Sequence, residues 1–87
     1  MAKYRIEIKK SAVKEIKQLP APDLKRVLIR IEELAEQPRP NDCQKLSHQE
    51  KYRVRVGDYR ILYTIEDGVL LVLVVKIGHR KDVYRHQ

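Results

Sequence analysis

Lys51-Tyr52-Arg53-Val54-Arg55-Val56, then Gly57-Asp58, then Tyr59-Arg60-Ile61-Leu62-Tyr63-Thr64-Ile65, has the pattern of a β-hairpin. Tyr52, Val54 and Val56 alternate with Lys51, Arg53 and Arg55, the period-2 signature of a strand with one apolar and one polar face. Gly57-Asp58 supplies a turn into the next strand. Glu66-Asp67-Gly68 reads as a second hairpin turn, because Asp-Gly readily takes the positive φ angles such turns need. Val69 to Ile77 is almost wholly apolar and β-branched, as expected of a central strand covered on both faces. The second half therefore predicts three consecutive antiparallel strands.

Working back toward the N-terminus, Tyr4, Ile6 and Ile8 alternate with Lys3, Arg5, Glu7 and Lys9, which predicts one more half-buried strand. Ser11 fits a helix N-cap. Val13, Ile16 and Leu19 give a short apolar stripe that Pro20 and Pro22 close. A longer helix follows from about Pro22 or Asp23 to Pro38. Leu24, Val27, Leu28, Ile31 and Leu34 fall on one of its faces. The expected class is α+β, in the order β-α-α-β-β-β, with a helical hairpin packed on one face of an antiparallel-rich sheet.

The chain has 87 residues, which predicts a single domain over 1–87 with a modest core. A hydrophobic fraction of 43% argues against intrinsic disorder. The longest apolar run, Val69 to Val75, is far short of the roughly 20 residues of a membrane helix. The Met1-Ala2-Lys3-Tyr4-Arg5 start has no apolar region of the secretory kind. One cysteine, Cys43, excludes an internal disulfide and fits a cytoplasmic protein. His48, His79 and His86 lack metal-ligand spacing, so neither a metal nor a cofactor is assigned.

A net charge of +7 points to an anionic partner. On the helices the signs mix, but Lys51, Arg53 and Arg55 share one strand face with no acid between them. Arg60 joins them if the hairpin register puts it on that face; otherwise it snorkels at a sheet edge. The tail adds Arg80, Lys81 and Arg85 beside His79, Tyr84 and His86. Guanidinium forks suit phosphate oxygens. Tyr84 either stacks on an unpaired base or anchors the tail to the sheet, and the residues alone leave both open.

Lys51 to Tyr63, followed by Ile77-Gly78-His79-Arg80-Lys81-Asp82-Val83-Tyr84, resembles the RelE/ParE toxin superfamily, and the RelE branch in particular. The resemblance covers essentially the whole chain. It implies the toxin of a type II toxin–antitoxin pair, and a ribosome-dependent endoribonuclease that cuts messenger RNA in the ribosomal A site. The chemistry it implies is metal-independent: the ribose 2′-OH attacks the adjacent phosphate, leaving a 2′,3′-cyclic phosphate and a 5′-hydroxyl. Carried over by position, Arg53 and Arg55 match the basic strand residues and Arg60 the phosphate-stabilising arginine. Arg80 matches the arginine proposed as acid, and Tyr84 the tyrosine that orients a base. Lys51, His79, Lys81 and Arg85 are expected to bind RNA. Arginine stands at position 53 where the family uses a lysine as base, and arginine stays protonated at neutral pH. Lys51, His79 or a ribosomal group is left to take the proton. The resemblance also implies a cognate acidic antitoxin that wraps the toxin. Two other readings remain at this point: a ParE-like inhibitor of DNA gyrase, and a non-catalytic RNA- or ribosome-binding module.

Overall fold

The computed structural model describes residues 3–46 and 50–79. Its elements run β1 (Arg5–Ile8), α1 (Lys10–Lys17), α2 (Ala21–Glu36), β2 (Gln44–Lys45), β3 (Lys51–Val56), β4 (Tyr59–Glu66) and β5 (Leu71–His79). The expected α+β order is present, with the two-residue β2 as an addition. The sheet order is β1-β5-β4-β3-β2. β1 pairs parallel with β5, and every other pairing is antiparallel.

The periodicities explain the packing. Ala12 and Ile16 of α1, and Val27, Ile31 and Leu34 of α2, lie at helical spacing and are buried against Val54, Ile61, Tyr63, Val72, Val74 and Ile77 of the sheet. Gly57 holds φ at +57° while Asp58 does not go positive, the pattern of a type II′ hairpin with glycine first. Past Val74 the β1 side of β5 loses its strand partner, and α1 takes over. The Glu15 carboxylate accepts from the Ile77 N–H at 2.9 Å and from Lys76 Nζ at 2.8 Å, supplying the acceptor that a neighbouring strand would have offered.

Several local expectations are corrected. α1 begins at Lys10 after a Lys9 N-cap, so Ser11 lies inside the helix and caps nothing. Pro20 is the N-cap of α2 and Pro22 sits in its first turn, where a missing N–H costs nothing. Leu28 faces outward at 38% exposure. The second turn is a 3₁₀ segment, Asp67–Val69, and its left-handed residue is Leu70 at φ 52° instead of Gly68. Val69 therefore belongs to this turn, 65% exposed, and not to the central strand.

That turn is drawn into a polar clamp. Tyr4 donates to Asp67 Oδ1 at 2.7 Å, and Arg39 bridges the same carboxylate at 3.2 and 3.0 Å. Arg39 Nε also donates to the Tyr52 hydroxyl at 3.2 Å, with its guanidinium 5.2 Å from the ring centroid. Tyr52 stacks on Tyr63, whose hydroxyl donates to the Pro38 carbonyl at 2.7 Å. The Arg39 and Tyr4 hydrogen bonds hold the Asp67 carboxyl down to about 2. Burial pushes the Tyr63 phenol well up.

Candidate nucleic-acid interface

Directly opposed residues in an antiparallel pair share a face. Lys51 opposes Thr64, Arg53 opposes Leu62 and Arg55 opposes Arg60, so all four basic residues lie on the face away from the helices. Arg60 in turn opposes Gly78 of β5. It is thus an interior-strand residue, 2% exposed, and not an edge residue that snorkels. Two arginines directly across from each other, Cβ atoms about 5 Å apart, repel and cost stability. Arg55 is exposed and has no ionic partner among the described residues, while Arg60 is engaged within the fold.

Spacing along β3 separates the basic residues. Lys51 is about 7 Å from Arg53 and about 13 Å from Arg55 at the usual rise per residue. The Arg55–Arg60 pair therefore stands beside the β3–β4 turn, at the opposite end of β3 from Lys51. His79 opposes Tyr59, and their rings meet edge-on with centroids 5.6 Å apart. By alternation it shares a face with Ile77, the helix side of the sheet. It lines a cleft of about 250 Å³ with Glu15, Gln18, Leu19, Tyr59 and Lys76. The structure thus brings Lys51, Arg53, Arg55 and Arg60 together and turns His79 away from them. Arg80, Lys81, Tyr84 and Arg85 lie outside the described residues.

Three residues not anticipated from sequence border this face. Gln44 of β2 opposes Arg53, and its Oε1 accepts from the Arg53 guanidinium. Asp42, Gln44, Arg53, Val54 and Arg55 line a pocket of about 200 Å³. Asp42 is held by Arg30 of α2, whose Nη2 lies 2.6 Å and 2.5 Å from the two carboxylate oxygens. Arg30 Nη1 also donates to Glu33 at 3.1 Å. Burial opposes the Arg30 charge, but the hydrogen bonds to Asp42 and Glu33 outweigh it and raise its pKa. A two-residue strand has no periodicity to read, which is why this corner was missed.

Residues 6–84 match the family described as ParE toxin of type II toxin–antitoxin system, parDE. A putative toxin RelE1 from Methanocaldococcus jannaschii is 33% identical over 97% of this chain and 98% of its own length. The chain belongs to the RelE/ParE toxin superfamily. It is the toxin of a type II toxin–antitoxin system. Among solved structures, the archaeal RelE–RelB complex of Pyrococcus horikoshii superposes with a TM-score of 0.81 at 31% identity, covering 92% of this chain and 97% of that one. The RelBE2 toxin–antitoxin complex of Mycobacterium tuberculosis gives 0.82 at 25% identity, covering 92% and 94%. The matched family carries the ParE name and these relatives the RelE name, so membership of the RelE/ParE superfamily leaves the choice of target to the chemistry of the basic face. No helix among the described residues is long and apolar enough to cross a membrane.

Proposed function

We propose that this RelE/ParE toxin is a ribosome-dependent endoribonuclease, acting in the cytoplasm on messenger RNA in the ribosomal A site. The observation that carries the reading is the Arg55–Arg60 pair, two like charges opposed across β3 and β4 with Arg53 on the same face. A phosphate whose charge grows in the transition state turns that repulsion into binding. Arg53, Arg55 and Arg60 stabilise the phosphate as the ribose 2′-OH attacks it and the 5′-oxygen leaves; Arg80 donates to that leaving oxygen and Tyr84 orients a base. Lys51, Lys81 and Arg85 steer the RNA backbone. The arginines are too basic to accept the 2′-OH proton, Lys51 is distant from the pair, and His79 faces the helices. The proton therefore goes to a group supplied by the ribosome–messenger complex, which makes the ribosome part of the active site.

The partner is a cognate antitoxin with an acidic, wrapping segment. The +7 charge and the crystallised toxin–antitoxin complexes of its relatives support this. Exposed Leu28 and Ile29 on α2 add an apolar strip for it to cover.

The ParE description of the matched family favours a second reading, inhibition of DNA gyrase. One experiment separates them. The purified chain is added to translating ribosomes and, separately, to a gyrase supercoiling reaction. The ribonuclease reading expects messenger fragments with 2′,3′-cyclic phosphate ends and undisturbed supercoiling. Intact messenger with blocked supercoiling reverses the assignment.

A further inference from the structure

One acid lines a pocket together with two arginines of the basic face. Asp42 is 61% exposed at its side chain and lines the same pocket as Arg53 and Arg55. Both of its carboxylate oxygens are taken by Arg30 Nη2, from a side chain only 20% exposed and further fixed by Glu33. Arg53 meets a different kind of acceptor. Gln44, one of its partners, is a neutral amide, which accepts a guanidinium hydrogen bond without adding a negative charge. A carboxylate at that place would form the stronger, charge-cancelling pair.

We propose that Arg30, Asp42 and Gln44 are a positioning set that directs the Arg53 and Arg55 charges toward RNA: Arg30 engages the Asp42 carboxylate, and Gln44 orients Arg53 through a neutral acceptor. The inference rests on the reading that this face receives RNA phosphates. None of the three touches the reacting atoms. Their effect is on the field at the phosphate and on the aim of one guanidinium.

The test is binding of a short 2′-O-methylated single-stranded RNA, which resists cleavage, measured across a salt series with thermal melting in parallel. Arg30→Met releases Asp42 and is expected to weaken binding about tenfold at low salt, the worth of one charged hydrogen bond. The slope of log affinity against log salt should shrink by about 0.7, one phosphate contact on a single strand. Adding Asp42→Asn to Arg30→Met should restore wild-type affinity, which a merely structural role for Arg30 would not do. Gln44→Glu, on an exposed edge strand, should weaken binding as Arg30→Met does, while Gln44→Asn should not alter the slope. Wild-type affinity in Arg30→Met, or a double variant as weak as Arg30→Met, overturns the proposal. Should Arg30→Met not fold, unchanged binding in Gln44→Glu overturns it by itself. Arg53→Gln tests the underlying reading separately. If it binds RNA like wild type, the phosphate reading fails; if it alone weakens binding, that reading stands and the positioning set falls.

Discussion

Tyr52 and Arg53 are neighbours in β3, yet they belong to regions built on opposite electrostatic terms. Tyr52 points to the clamp, where Arg39 and Asp67 pair and Tyr4 adds a third hydrogen bond. Arg53 points to the face where Arg55 and Arg60 are set against each other. The clamp joins the segment before β1, the α2–β2 connection, β3 and the β4–β5 turn. The basic face concentrates one sign, and under the proposed function an RNA phosphate completes it. Charge in this small toxin has two uses: paired, it ties the chain together, and accumulated, it forms the surface proposed to receive RNA.

Breaking the basic face should give the largest effect. Arg60→Ala is expected to lower ribosome-dependent cleavage by about 10²- to 10³-fold, the usual loss of one preorganised group at a developing oxyanion. Single-turnover cleavage of a ribosome-bound messenger measures it. Breaking the clamp should leave chemistry alone. Tyr63→Phe deprives the buried Pro38 carbonyl of its donor and should cost about 1–2 kcal/mol in a denaturant titration, with the cleavage rate unchanged.

Leu70 sharpens the comparison from the other direction. It holds a left-handed conformation that a leucine resists, in the turn the clamp grips. Leu70→Asn should therefore raise stability by about 0.5–1 kcal/mol, read as a shift in denaturant midpoint without a change in slope. The smallest effect expected is that of Asp67→Asn, because the carboxylate is exposed. Its folded pKa, about 2, lies below the unfolded value near 3.8, so its contribution is complete above the unfolded value and disappears as pH falls through about 2. Wild type and Asp67→Asn should therefore differ in melting temperature at neutral pH and converge in strong acid.

The sequence was most informative where a period repeats. Lys51 to Val56 announced both its strand and its basic face, and Gly57 its turn. Val27, Ile31 and Leu34 announced the helix face that covers the sheet. Where tertiary contacts override local preference, the signal disappeared. Asp67-Gly68 has the composition of a tight hairpin turn, but the hold of Tyr4 and Arg39 on Asp67 accompanies a 3₁₀ turn that moves the left-handed residue to Leu70. The burial of Arg60 depends on having strands on both sides, a property of sheet order that no local window contains. The placement of His79 was available in the sequence, since Ile77 two residues earlier is a core residue and same-face neighbours follow at i+2. The Gln44–Arg53 pairing was not, because β2 is too short to show alternation.

Under the proposed function, the accumulated charge on the β3–β4 face serves to cut messenger RNA on the ribosome. Primer extension on a translated messenger, comparing wild type with Arg55→Ala, tests it most directly, since Arg55 is exposed and its loss leaves the core untouched. Wild type should give cuts at A-site codons only when ribosomes are present, and Arg55→Ala should nearly abolish them at an unchanged melting temperature. Equal cutting by the two proteins, or none by wild type on translating ribosomes, would contradict it.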